Sequence, residues 1–531
     1  MCSLGVFPAP VTAAQTLLER NNELLSALHP GEHSQPCDLP SPQFTRDTLK
    51  GHSRPESSSR SAFLDQRDTL WMRSAGAWRD AGLHGLLDEI TNSAEEVPRF
   101  LAVGSACVLA LLRWASSFHG SLFPHLTLSS DEMVAEFSQM LDWSDSALRS
   151  FAWHPHTDKF AVALLDDSIR IYKSNSSATP TLKHRCQRSV CALQWKPLCG
   201  SALAVACQSC LLIWHVDPTS LSTRYCSNTA SLWHTTVSKQ LWRRPSRHTG
   251  RARRSGLMWC FSCSPITSIA WSPTGSLLVS ASPVDTAMMV WDVAAESAVP
   301  LQRVGGGGVT YLSWSPDGSR LLAATPSALF RVWETRMWTC ERWPCLKGSC
   351  QSACWSPDGG CLLLSMQGER VIYALTFSDL TGGSKAASVV ADLSETSFPG
   401  PDGDLTVGGE VCSLSWDPRG ERLAVLLKGD SQAVNHPSVI AVFKTRSSPV
   451  FELLPCGFVM GEAGAEPRFM QFHPHFQHGA LLTVCWSDGR ISHVPFYFSS
   501  AGLLGGDSPQ QALASNTADH SSNKLYTEQI S

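Results

Sequence analysis

The sequence predicts an all-β fold: a seven-bladed β-propeller with a helical N-terminal region and disordered termini. Three observations carry that prediction. A pattern of apolar residue, spacer, aromatic, spacer and proline recurs seven times along the chain. In the first five copies a second aromatic follows the first after 19, 19, 20, 19 and 18 residues. Successive first aromatics lie 42, 76, 43, 41, 61 and 56 residues apart, and the short values match a four-stranded blade.

Residues 1–62 are rich in Pro, Ser, Gly and charge and read as a partly disordered tail, one segment of which is available to close the ring. Residues 63–145 read as a helical region. Leu64, Trp71 and Trp78 recur at seven, and Leu83, Leu86, Leu87 and Ile90 follow at helical spacing. Ser129 and Glu132 form a capping-box pattern ahead of another helix. The uncharged run from Phe100 to Leu112, between Arg99 and Arg113, would rise about 20 Å as a helix. That is short of the roughly 30 Å hydrocarbon core, so a buried helix is expected and no membrane span.

The propeller is placed at 146–500. Its first aromatics are Trp153, Trp195, Trp271, Trp314, Trp355, Trp416 and Phe472, each two residues before a proline. In four copies a glycine follows two residues later, which reads as a strand running into a turn. The next apolar run, such as 160–164 or 277–280, is the second strand. A third strand commonly ends in an aromatic, as at Trp214, Trp291 and Trp333. Asp167 and Asp285 fall in the turn before that strand. The tryptophans are read as core, so Trp314→Ala would cost about 3–5 kcal/mol.

The long intervals between repeats imply insertions. The one at 226–263 carries Arg243, Arg244, Arg247, Arg251, Arg253 and Arg254. It is expected to be a solvated loop between the second and third blades, in preference to an import signal or a phosphate-binding patch. Residues 501–531 have no periodicity and read as a disordered tail.

Composition narrows the function. Hydrophobic residues make up 43% of the 531 and charged residues 17%, which suits a large globular unit. The net charge of −4 provides no general attraction to nucleic acid, so no specific nucleic-acid partner is expected. The 19 cysteines are spread from Cys2 to Cys485, and no basic-then-apolar leader opens the chain. Reduced, buried thiols of a cytosolic or nuclear protein are expected.

No catalytic constellation emerges, and no metal, cofactor or small-molecule substrate is expected. Cys207 and Cys210, like Cys260 and Cys263, have metal-ligand spacing, but Cys207 reads as lying on a strand and no matching pair accompanies it. His154 and His156 occupy the same repeat positions as His473 and His475, which makes them turn residues. The glycines at 305–308 precede a strand, so they form no phosphate loop. Asp166 beside Asp167 is explained by the turn.

The repeats resemble degenerate WD40-type blades. Trp291-Asp292 is a clear Trp-Asp pair and Trp333-Glu334 a near match, but the early Gly-His dipeptide is missing. Longer strings resemble the aladin family of WD-repeat nucleoporins. They run through Arg113–Ser117, His119–Leu126, Phe151–His156, Phe160–Asp167, Leu203–Cys210, Asp217–Arg224, Met337–Pro344 and Ser448–Gly457. The chain departs from the family in the basic 226–263 segment and in the C-terminal tail.

This resemblance implies a non-enzymatic scaffold subunit of the nuclear pore complex at the nuclear envelope. Its implied partners are a transmembrane nucleoporin, which anchors it, and other nuclear pore proteins. It also implies support of nucleocytoplasmic transport, protein import in particular. In division it implies a role in spindle assembly, at the spindle pole and in the cytoplasm. The alternative is a WD-repeat adaptor of another complex, such as a ubiquitin ligase.

Overall fold

Every inner strand of the ring ends on its motif aromatic. These strands are Leu148–Trp153, Ala192–Trp195, Ser268–Trp271, Tyr311–Trp314, Cys350–Trp355, Val411–Trp416 and Pro467–Phe472. They belong to a computed structural model that describes residues 2–10, 14–27, 38–47, 49, scattered positions from 74 to 108, 128–216 except 185, the backbone of 230–233, and 264–498. Within the last stretch it omits 303–306, 344–347, 378–386, 401–402, 431–432, 434, 448–449 and 463. The described residues all lie in one compact unit, Met1–Phe498.

Each inner strand opens an antiparallel meander, and the seven meanders are the blades of a β-propeller. The proline turn after the aromatic is built the same way in four blades. Gly275, Gly318, Gly359 and Gly420 donate their N–H to Ser272, Ser315, Ser356 and Asp417 respectively. All four glycines have φ between 67° and 76°, a conformation that a β-carbon disfavours. The residue after the aromatic caps the turn: Ser272, Ser315 and Ser356 Oγ accept from Leu277, Arg320 and Cys361 N–H at 3.0, 2.8 and 2.9 Å.

Second strands are packed on both sides and so read as unbroken apolar runs. Cys361–Met366, Arg422–Leu427 and Gly479–Trp486 are buried along their whole length. Blades 1 to 6 take their outer strand from the chain that follows, and blade 7 does not. Its outer strand is Thr16–Arg20, which runs parallel to Ile491–Tyr497 with Glu19 opposite Phe496, and Glu23–Ser26 pairs outside it. Cys2–Ser3 adds a fifth, parallel strand to blade 5 beside Ser388–Asp392. A hairpin of Thr396–Phe398 and Leu405–Val407 stands between blades 5 and 6.

Several expectations change. Phe100, Leu101, Val103 and Val108 are exposed where a buried helix was expected, and the buried residue among them is the polar Ser105; Ala102 and residues 109–112 lie outside the described residues. The strand Ala230–Trp233, inside the segment read as an inserted loop, pairs with Leu211–His215 as the outer strand of blade 2. Cys207 and Cys210 flank a hairpin turn, with Cys207 N–H donating to the Cys210 carbonyl, so Cys207 is not within a strand. Trp314 and Trp416 are half-buried, since no described chain covers their solvent-facing side completely. The arginines of 243–254, Cys260, Cys263 and residues 501–531 lie outside the described residues.

Candidate functional site

The predicted blade residues do not converge on one site; the fold distributes them around the ring. Trp153, Trp195, Trp271, Trp355 and Phe472 are buried at the ends of inner strands. Their indoles join neighbouring blades. Trp195 Nε1 donates to the Ala152 carbonyl of blade 1 and Trp271 Nε1 to Gln194 of blade 2, both at 3.3 Å. Trp314 donates to Ala270 and Trp355 to Ser313, both at 3.2 Å. In each case the acceptor is the residue just before the preceding blade's tryptophan.

A second bond runs alongside. Leu193, Leu312 and Leu414 N–H donate to the hydroxyls of Ser150, Ser268 and Ser352 on the blade before, at 3.0–3.1 Å. Those serines lie three residues before their own tryptophan. Their spacing from the tryptophan is present in the sequence, but nothing in it marks these hydroxyls as facing a neighbouring blade. The chain of indole bonds is interrupted at blades 6 and 7. Trp416 Nε1 has no hydrogen-bond partner among the described residues, and Phe472 carries no donor. Trp153 closes the ring by donating to Thr483 Oγ1 of blade 7 at 3.0 Å.

The third-strand aromatics Trp214, Trp291 and Trp333 are buried. Two of these indoles bond to side chains, whereas Trp333 Nε1 has no hydrogen-bond partner among the described residues. Trp214 Nε1 donates to Gln187 Oε1 at 3.1 Å, and Gln187 Nε2 donates to the Asp167 carbonyl at 2.6 Å. Trp291 donates to Ser280 Oγ at 2.8 Å, and Ser264 donates to Asp285 at 3.0 Å. Asp167 and Asp285 both occupy the turn before the third strand, Asp167 with φ 59°. Burial pushes both carboxyls up; the N–H groups of Val190 and Ser189 oppose this at Asp167, and the Ser264 hydroxyl opposes it at Asp285. Asp167 thus accepts from the chain entering blade 2, and Asp285 from the chain entering blade 3.

The central channel is narrowed where the inner strands begin. The helix Ser130–Phe137 carries the capping box of Ser129 and Glu132, and the chain after it crosses the ring. Leu141 N–H donates to Arg468 O of blade 7 at 3.1 Å. Trp143 Nε1 donates to Val190 O at the edge of blade 2 at 3.3 Å. Buried Arg149 stacks on the Trp143 ring at 3.7 Å and bonds its carbonyl. A cavity of about 320 Å³ remains beneath Gln139 and Met140, lined by Gln194, Trp271, Trp314 and Gln471.

The two His-Pro-His turns meet at the seam of blades 1 and 7, where the His156 and His475 rings stack with centroids 6.2 Å apart. His154 Nδ1 accepts from the N–H groups of His156 and Thr157, and Nε2 donates to Gly200 O at 2.9 Å. His473 Nδ1 accepts from His475 N–H in the same way. Burial lowers His154 to about 4 and also lowers His473. Among the described residues, no three His, Cys, Asp or Glu side chains stand close enough together to hold a metal ion.

The ring, its inter-blade bonds and its partly covered channel define a class: a seven-bladed WD-type propeller scaffold. The family model of the aladin seven-bladed propeller matches residues 233–497. Aladin of Arabidopsis thaliana is 33% identical over 377 residues, which span 67% of this chain and 77% of that protein. The chain belongs to the aladin family. Among solved structures, the β-propeller domain of Cps50 (Swd1) from Myceliophteria thermophila is 15% identical with a TM-score of 0.45, covering 66% of this chain and 96% of that one. A chain of the mitotic checkpoint complex is 16% identical with a TM-score of 0.44, covering 65% and 86%.

Proposed function

We propose that this chain is a non-enzymatic scaffold subunit of the nuclear pore complex. In this reading a transmembrane nucleoporin anchors it at the nuclear envelope, and it supports nucleocytoplasmic transport, including protein import. During division it takes part in spindle assembly, at the spindle pole and in the cytoplasm. Membership of the aladin family, through 33% identity over 67% of the chain, is the observation that carries the reading. The polar side chains described above support it, because they are engaged in joining blades and holding turns and leave the loops and faces of a rigid ring for partners.

Imaging and proximity labelling of the full chain, tagged at its C-terminus, test the proposal. A nuclear-rim signal is expected, with nuclear pore proteins and a transmembrane nucleoporin among the labelled neighbours. A diffuse signal with ubiquitin-ligase subunits labelled instead would overturn it.

A further inference from the structure

The two His-Pro-His turns at the seam of blades 1 and 7 each use one imidazole and leave the other. In both, the first histidine is buried and its Nδ1 accepts from the N–H of the second at 3.1 Å. The other ring nitrogen is directed at protein too. His154 Nε2 bonds the Gly200 carbonyl at 2.9 Å, and His473 Nε2 faces Asp158 Oδ1 at 3.4 Å. His154 and His473 are therefore the turn residues. His156 and His475 give their backbone N–H groups to the turns, and both side chains are exposed.

The turns bring these two exposed rings face to face across the seam, with centroids 6.2 Å apart and planes 11° from parallel. We propose that His156 and His475 are the two imidazole ligands of a site for a borderline divalent cation of the zinc type, which clasps blade 1 to blade 7.

Distance, chemistry and support all fit. A zinc–imidazole bond is about 2.0–2.1 Å and the nitrogen stands about 1.1 Å from its ring centre, so two imidazoles on one tetrahedral ion have centroids about 5 Å apart. The observed separation is 6.2 Å. Two exposed side chains close the remaining distance of about 1 Å by turning about χ1 and χ2, the second a broad torsion in histidine. Imidazole nitrogen suits zinc, nickel or copper, whereas magnesium and calcium take oxygen. Asp158 lies two residues after His156 with its side chain 68% exposed, placed to leave His473 and add a carboxylate. Buried His154 and His473 fix the backbone that carries each ligand, the support from behind that ligating side chains need. A pair of imidazoles completed by water is compatible with the absence of any cluster of three ligands among the described residues.

Zinc titration of the purified full chain, read by its thermal midpoint, tests the proposal. An ion held by the closed ring and not by the unfolded chain stabilises the fold, so zinc at about a hundred times its dissociation constant should raise the parent's midpoint by about 2 °C or more. His156→Ala and His475→Ala should each abolish that rise, since neither imidazole bridges the seam without the other. Both residues are exposed and keep their N–H groups in the variants, so midpoints without zinc should equal that of the parent. Magnesium should leave all three chains unchanged.

A parent midpoint that zinc leaves unmoved would overturn the proposal. So would a rise that persists in His156→Ala/His475→Ala, which would place the ion on thiols elsewhere. A rise lost in one single variant and kept in the other would also overturn it, because one imidazole would then bind without a bridge. The titration needs no pore protein, so its result stands apart from whether the chain is a nuclear pore subunit.

Discussion

An indole can do two jobs in this ring, filling space and donating one hydrogen bond to the neighbouring blade. Phenylalanine keeps most of the first and abolishes the second. Trp195→Phe removes the bond to the Ala152 carbonyl of the neighbouring blade and should cost about 0.5–1.5 kcal/mol beyond the packing loss. Trp416→Phe removes a donor that has no partner among the described residues and should change stability by less than about 1 kcal/mol. Denaturant midpoints of the two variants would check the contrast, and equal losses would show that the bond contributes nothing. Trp314→Ala should fall short of the roughly 3–5 kcal/mol of a fully buried site, because Trp314 is half-buried. The aromatics were legible because their interval is regular. The serines three residues earlier were not, because a serine in a strand reads as a solvent-facing position, whereas here it faces the next blade.

At the scale of elements, the N-terminal segment covers the two junctions where the indole chain is interrupted. Cys2–Ser3 extends blade 5, and Phe7 packs on Phe443 and Phe458 of blade 6 with ring centroids 5.0 Å apart. Thr16–Arg20 then completes blade 7. Within that strand Glu19 is fully buried and pairs with buried Arg422 of blade 6 at 3.0 Å. Glu19→Ala should destabilise the chain by about 3 kcal/mol, since it leaves the buried Arg422 guanidinium with only the more distant, half-exposed Glu421 carboxylate as counter-ion. Glu19→Met/Arg422→Met should recover much of that loss in a thermal or denaturant scan. A double variant no better than Glu19→Ala would show that the strand's pairing matters and its charge does not. The tail is legible as the source of a closing strand, but the strand's place in it is not, because Thr-Leu-Leu-Glu-Arg is short and its two charged residues argue against burial.

For the whole molecule, the two seams that flank blade 1 are where acid should act: His493 and His473 at the seam with blade 7, and His154 at the seam with blade 2. His493 links Thr483 Oγ1, at 3.0 Å, to the Pro40 carbonyl, at 3.1 Å, beneath the Trp153 indole. Burial lowers His493 and His154 from the usual 6.5 to about 4, and it lowers His473 as well. These imidazoles are neutral in the fold, while the unfolded chain takes up their protons below about 6.5. The stability they contribute is therefore complete above that pH and is lost as pH falls from about 6.5 toward 4. The thermal midpoint should drop over that window, and His154→Gln/His493→Gln should flatten the drop. An equally steep profile in the double variant would place the acid sensitivity elsewhere.

The closing strand also sets the order in which the molecule can be finished during synthesis. Residues 16–20 leave the ribosome well before their partners at 491–497. At typical elongation rates they wait roughly 25–95 s with an unpaired edge and a carboxylate that has no counter-ion until residue 422 is made. Until then the nascent ring is open at one end and offers a strand template to other chains. A chain truncated anywhere before residue 491 would consequently lose both of its ends at once. A holding chaperone is therefore expected to bind these truncated chains more than the full-length one, measurable by co-precipitation from a translation extract.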